Sequence, residues 1–371
     1  MKSNNPLRVL VVDDTVIYRK IVSDIIAELP NVEVAGIAHN GKIAISKIAT
    51  LKPDLLTLDI EMPEMNGLEV LAHIKDNGLD VGAVMLSTLT AQGGDMTMKA
   101  LELGAFDFIP KPGTGSMQEN KEAIAKTLAG IIHAFGNRRR MRRISKAKPK
   151  LPGDIPPTTK GAAATGAVQR LAAAAGQKRR KAEIVAIGIS TGGPNALAKM
   201  MPGLPSNLGV PIVIVQHMPP VFTQSLANTL NSKCSLTVRE ATDGEPIRPN
   251  TALIAPGGKQ MKIVAGADGK TRIIRITNDP PENSCKPSVD YLFRSVAHHY
   301  MGRSTGVIMT GMGADGTLGL GLMKRDGATV IAQDEATSVV YGMPKEPVAA
   351  GIVDVVAPLD RIAAEIVKTV R

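Results

Sequence analysis

The stretch EIVAIGISTGGP (183–194) decides the fold of the C-terminal half. An unbroken apolar run leads straight into a serine set between glycines. That pattern predicts a buried strand ending in a tight strand-to-helix turn. Outward from it, VPIVIVQH (210–217), RSTGVIMTG (303–311), ATVIAQ (328–333) and IVDVVAP (352–358) read as further buried strands. Helical stretches near 194–201, 220–230, 288–300, 317–325 and 359–370 alternate with them, and 236–277 reads as hairpin-rich. The expectation is an α/β domain over 183–371 built on a parallel sheet, with its site at the carboxyl ends of the strands.

Residues 1–133 repeat the theme. RVLVV (8–12), VEVAGIA (32–38), DLLTLDI (54–60), GAVMLS (82–87) and AFDFI (105–109) predict five buried strands, with amphipathic helices at 16–29, 40–51 and 67–77 between them. Five β/α units in so short a segment predict a five-stranded doubly wound, flavodoxin-like sheet. Between the halves, 134–182 reads as a linker, mobile and at most transiently helical in its alanine tracts. Residues 137–181 hold 14 Lys/Arg and one acid, leaving 30 basic and 33 acidic residues elsewhere. The net charge of +10 therefore belongs to one segment, not to a folded surface, which argues against a nucleic-acid-binding domain.

Composition narrows the classes further. Trp is absent, and Tyr and Phe number four and five, so the cores rest on aliphatic residues and base stacking is disfavoured. Cys234 and Cys285 fit neither a zinc spacing nor a disulfide framework, which points to a reducing, cytoplasmic setting. No apolar run is long enough for membrane insertion.

Two constellations carry chemistry. In the first half Asp13 and Asp14 end the first strand, Asp59 ends the third, and Lys111 follows the fifth, so three carboxylates and an ammonium converge on one sheet edge. Clustered carboxylates call for a hard cation such as Mg²⁺, and metal and lysine together can neutralise a phosphoryl group arriving on the central carboxylate. Ser87, ending strand four, is placed to meet the phosphoryl oxygens. In the second half, G-x-S-x-G around Ser190 fits either a nucleophile or a phosphate cradle. His217 ends the neighbouring predicted strand and Asp315 lies in TGMGADG (310–316), a glycine-rich loop after another, and they supply the base and the orienting carboxylate that a serine nucleophile needs. The order Ser, His, Asp differs from the Ser, Asp, His of ordinary α/β-hydrolases.

VVDDT, DLLTLDIEMPEMNGLEVL, MLSTLT and GAFDFIPKP resemble two-component receiver domains, and GISTGGP, VQHM, IAPGG, PSVDYLF, MTGMGADG and QDEATSVVYGMP resemble the catalytic domain of chemotaxis protein-glutamate methylesterases. The resemblance implies Asp59 as phosphoacceptor, with Asp13, Asp14 and the Glu61 carbonyl as Mg²⁺ ligands. Ser87 and Lys111 become switch residues, the bond from Lys111 to Pro112 being cis. It further implies Ser190 as nucleophile, His217 as general base and Asp315 as its orienter. The Met312 N–H becomes the oxyanion donor, and Thr191 and PSVD (287–290) shape the cleft. The implied reaction is phosphorylation-activated hydrolysis of glutamate methyl esters on chemoreceptors, with deamidation of receptor glutamines. A chemotaxis histidine kinase would be the phosphodonor, and the esterase itself would use no cofactor. A receiver-controlled transcriptional regulator and a phosphate- or nucleotide-binding adaptor remain as alternatives. Against the first, no helix-turn-helix pattern follows the linker. Against the second, His217 stands where a dinucleotide site would prefer an acid.

Overall fold

A computed structural model describes residues 5–112, 116–147 and 180–371. In the first half, strands β1 (Leu7–Val12), β2 (Val32–Ala38), β3 (Leu55–Asp59), β4 (Gly82–Thr88) and β5 (Asp107–Lys111) form a parallel sheet in the order β2-β1-β3-β4-β5. Helices α1 (Val16–Ala27), α2 (Gly41–Leu51), α3 (Gly67–Asp76), α4 (Ala91–Leu103) and α5 (Met117–Ala147) connect or follow them. β1, β3 and β4 are buried almost throughout, which is why they read as continuous apolar runs. The start of α3 is fixed by a reciprocal cap, in which Asn66 accepts from Glu69 N and Glu69 accepts from Asn66 N.

The second half is built on a seven-stranded parallel sheet in the order β14-β13-β12-β6-β7-β9-β8. Its strands are β6 (Ile184–Ile189), β7 (Ile212–Gln216), β8 (Thr237–Glu240), β9 (Thr251–Ile254), β12 (Ser304–Ile308), β13 (Thr329–Gln333) and β14 (Val355–Ala357). β10 (Gln260–Ala265) and β11 (Arg272–Thr277) form a separate antiparallel pair. Helices α6 (Gly193–Met200), α7 (Phe222–Lys233), α8 (Val289–Tyr300), α9 (Thr317–Arg325), α10 (Lys345–Ala349) and α11 (Leu359–Val370) complete the domain.

Three expectations change. Only β10–β11 of the hairpin-rich region is a hairpin, because β8 and β9 join the main sheet in parallel. Helix α5 runs on to Ala147, inside the segment read as linker. Nothing between residues 134 and 147 stops it, since the arginines there are good helix formers and the first proline comes at 149. Residues 148–179, where the alanine tracts fall, lie outside the described residues. Finally, the bond from Lys111 to Pro112 is trans, and among the described residues Lys286–Pro287 is the cis one.

The two halves touch. Phe108 of β5 meets Phe222 of α7 with ring centroids 4.7 Å apart, and Lys233 pairs with Glu102 at 2.5 Å.

Candidate active site and receiver site

β6 and β7 pair in parallel with Ile189 opposite Gln216, so the next residues, Ser190 and His217, stand side by side past the strand ends. The amide of Gln216 holds this edge by donating to the carbonyls of Ser190 (2.9 Å) and His217 (3.2 Å). Ser190 N donates to Thr310 O at 2.9 Å, joining the turn to the loop after β12. That loop comes close enough to demand glycine: a Cβ on Gly311 would lie 2.7 Å from the Cβ of Ser190. The turn itself passes through the left-handed region at Gly192, with φ of 73°.

Asp315 sits in the loop between β12 and α9, and its carboxylate is held from all sides. Oδ1 accepts from Asn283 Nδ2 (2.8 Å), Ser288 Oγ (2.9 Å) and Asp290 N (3.1 Å). Oδ2 accepts from Val289 N (2.7 Å) and faces His217 Nε2 at 2.8 Å. Two of these donors are the first N–H groups of α8, otherwise without helical partners, and the helix dipole favours an anion there. Burial alone would raise the carboxyl, but the hydrogen bonds from His217, Asn283 and Val289 bring it down to about 2. For His217 burial works towards the neutral ring, and the bonds to Asp315 and Cys285 outweigh it and lift the imidazole to about 9.

The remaining ring nitrogen, Nδ1, lies 3.6 Å from Cys285 Sγ. Among the described residues no hydrogen bond links the Ser190 hydroxyl to the ring. The expected file of three is therefore joined from imidazole to carboxylate and open from alcohol to imidazole. Met312 is 49% exposed, and among the described residues its backbone N–H makes no hydrogen bond.

At the other sheet edge Lys111 Nζ bridges Asp13 (2.8 Å) and Asp59 (2.7 Å). Burial, and then the charge of Asp13, raise the Asp59 carboxyl to about 6. Burial opposes the charged form of Lys111, but Asp59 and Asp13 outweigh it and raise its pKa. Oxygens of Asp13, Asp14 and Asp59 lie within 4.8 Å of one another, an all-oxygen set that suits a hard divalent cation. Glu61 is exposed on the loop beyond β3. The Ser87 hydroxyl donates to Gly93 O (3.2 Å) and accepts from Thr97 Oγ1 (2.7 Å).

Residues 185–366 match the CheB methylesterase family, and residues 9–123 match the response regulator receiver domain. A protein-glutamate methylesterase/protein-glutamine glutaminase of Desulfotalea psychrophila is 59% identical, over 98% of this chain and 99% of its own. Its counterpart in Trichodesmium erythraeum is 43% identical over 98% and 99%. The chain belongs to this family. The crystal structure of the Thermotoga maritima CheB methylesterase catalytic domain is 42% identical and covers 50% of this chain and 98% of that one, with a TM-score of 0.49.

Within this family frame the fold brings Ser190, His217, Asp315, Thr191 and Met312 to one edge, and Asp13, Asp14, Asp59 and Lys111 to another. Sequence reasoning missed Gln216, Asn283 and Cys285, whereas Ser288 belongs to the PSVD stretch expected at the cleft and does reach Asp315. Gln216 is legible only once the β6–β7 register is known, and Asn283 and Cys285 reach the site through a loop far away in the chain. It also missed Asp107. This buried carboxylate of β5 accepts from Gly192 N (3.1 Å) across the domain boundary. Burial pushes it up to about 6 against the N–H bonds of Phe108 and Gly192.

Proposed function

We propose that the chain hydrolyses glutamate methyl esters on the cytoplasmic domains of chemoreceptors, and deamidates receptor glutamines, as a cytoplasmic enzyme of chemotactic adaptation. The observation that carries this reading is the imidazole–carboxylate pair of His217 and the buried Asp315, 2.8 Å apart, on the sheet edge where Ser190 ends the adjacent strand. Asp315 takes Nε2, so Nδ1 is the nitrogen left to receive the Ser190 proton after a small rotation of either side chain. Ser190 Oγ attacks the ester carbonyl, and the charge gathering on its oxygen meets the free N–H of Met312. The tetrahedral intermediate expels methoxide, which leaves as methanol with the proton from His217. Water, deprotonated by His217, then attacks the acyl-serine, returning the proton to Ser190 and freeing the glutamate. Glutamine follows the same course with ammonia as leaving group.

Control rests on the receiver. Asp59 is the proposed phosphoacceptor and a chemotaxis histidine kinase the donor. Asp13, Asp14 and Asp59, with the Glu61 carbonyl, would hold Mg²⁺, which when bound neutralises charge on the transferring phosphoryl group. Lys111 pairs with the phosphoryl oxygens, and Ser87 turns inward to donate to them. In the unphosphorylated chain the receiver leans on the catalytic turn. Asp107 accepts from Gly192 N, Asn195 Nδ2 donates to Ala105 O (3.1 Å), and Gly130 of α5 lies against Met312 so closely that a Cβ there would be 2.6 Å from its sulfur. These contacts support a brake on Thr191, Gly192 and Met312, which line the cleft.

Methanol release from methylated receptor membranes, with and without a small-molecule phosphodonor, tests the reading. Release that requires Ser190 and rises with the phosphodonor is expected. Release at the wild-type rate by Ser190→Ala would refute it.

A further inference from the structure

The proposed hydrolysis leaves one nucleophilic group at the catalytic edge unused, the thiol of Cys285. It is half-buried, 3.6 Å from His217 Nδ1 and 3.4 Å from the carbonyl of Asn283. The turn that presents it passes through positive φ at Asn283 (53°) and Ser284 (60°). The thiol is thus aimed at the one ring nitrogen that Asp315 does not engage.

This is the arrangement in which histidine binds metals. A ligating imidazole ordinarily gives its other N–H to a carboxylate, which fixes the tautomer and turns the lone pair outward. Here Nε2 faces Asp315 Oδ2 at 2.8 Å, and Nδ1 faces sulfur. Tetrahedral zinc, with Zn–S of about 2.3 Å and Zn–N of about 2.0–2.1 Å, has an S···N edge of about 3.6 Å. The sulfur and Nδ1 already stand at 3.6 Å, and ligand atoms of His217, Cys285 and Asp315 gather within 4.8 Å.

We propose that a thiophilic divalent cation, Zn²⁺ being the type, binds reversibly between Nδ1 of His217 and Sγ of Cys285 and holds the esterase in an inhibited state. The metal takes the lone pair that would accept the Ser190 proton, so bound metal and a working base exclude each other. Sulfur gives up its proton to solvent on binding, as does Nδ1 if protonated. Water and the Ser190 hydroxyl are the candidates for the two remaining positions. With two protein side chains as ligands, a chelator reverses the state. Mg²⁺ does not produce it, because a hard cation prefers oxygen. Cys234, which follows the last residue of α7, serves as the contrast within the chain.

The inference rests on His217 as the base, so the test has two readouts on the chelator-treated full chain. In the first, Zn²⁺ is titrated into the methanol-release assay. The wild type should be inhibited and recover with chelator, and Cys234→Ala should behave alike. Cys285→Ala and Cys285→Ser should need more than about tenfold more Zn²⁺, since loss of even an outer-shell partner weakens metal binding roughly 10–100-fold. In the second, Co²⁺ serves as an optical probe. The wild type and Ser190→Ala should both show a thiolate-to-cobalt charge-transfer band, absent from Cys285→Ala and His217→Gln variants that retain the wild-type melting profile. Equal Zn²⁺ inhibition of wild type and Cys285→Ala would overturn the proposal, as would the absence of the band from the wild type. Because the band needs no turnover, the metal site and the esterase reading fail separately.

Discussion

Asp59 and Asp315 are both buried at the carboxyl edge of a parallel sheet, one ending a strand and the other in the loop that follows one, yet their acidities move in opposite directions. Asp59 rises to about 6 while Asp315 falls to about 2. Burial pushes both upward, so the difference lies in the company. Asp59 has a second carboxylate beside it and shares one ammonium with it, so part of its charge stays uncompensated. Asp315 receives neutral donors from Asn283, Ser288 and the first turn of α8, together with the imidazole. A receiver carboxylate left short of positive charge is suited to accept a phosphoryl group and a metal. One saturated by fixed donors is suited to stay ionised and orient a base. One topology thus yields an acceptor and a fixed anion according to which groups meet the strand end.

The largest effect that would sharpen this contrast is at the nucleophile. Ser190→Ala should lower methyl-ester hydrolysis by at least about 10⁴-fold, the scale set by single triad deletions in other serine hydrolases, with an unchanged circular-dichroism spectrum. Asp315→Asn should lower kcat by about 10⁴-fold by disturbing the imidazole tautomer. The same variant tests the anchoring. A carboxyl held at about 2 against an ordinary 3.8 contributes about 2 kcal/mol of stability, present above about pH 4 and lost as pH falls through 2. The rise of His217 reports the same contact from the other side and is not added. Acid titration of the melting temperature should show this loss in the wild type and not in Asp315→Asn. Should the two curves coincide, the fixed-anion account is wrong.

A mid-sized effect concerns pH. The base acts unprotonated, so kcat/KM should climb with pH to a midpoint near 9, the value burial opposes and Asp315 and Cys285 together sustain. Cys285→Ala should move that midpoint down, and a profile that does not move would remove the thiol from the picture. Smaller still is the interdomain contact. Gly130→Leu, forced against Met312, should raise the rate of the unphosphorylated chain severalfold and leave the phosphorylated rate alone. An unaltered basal rate would show that this face of α5 is no brake. The smallest is local to the receiver: Asn66→Ala removes one half of the α3 capping box and should cost about 1 kcal/mol in receiver melting without changing kcat.

Much of this was legible in the residues. β6, α9 and α11 fall where the pattern puts them, because a strand buried on both faces and an amphipathic helix each leave a pattern that one chain segment carries alone. Ser190, His217 and Asp315 were legible because each ends or follows an apolar run. The end of α5 was not, because a basic helix with little apolar stripe looks like a spacer. β8 and β9 were not, because short strands do not reveal whether their partner is a neighbour in sequence or, as for β9, the distant β7.

The chain's own order of residues therefore determined which chemical groups are present and which strand each one terminates, since those facts follow from local pattern and parallel-sheet topology. Tertiary structure alone decided how acidic each group is and what it touches. The loop at 283–285 adds Asn283 to the donors around Asp315 and sets the Cys285 thiol on the His217 ring, and Asp107 crosses from one domain to the turn of the other. Hydrogen bonds and desolvation act over a few ångströms in space whatever the separation along the chain, so no local pattern records them.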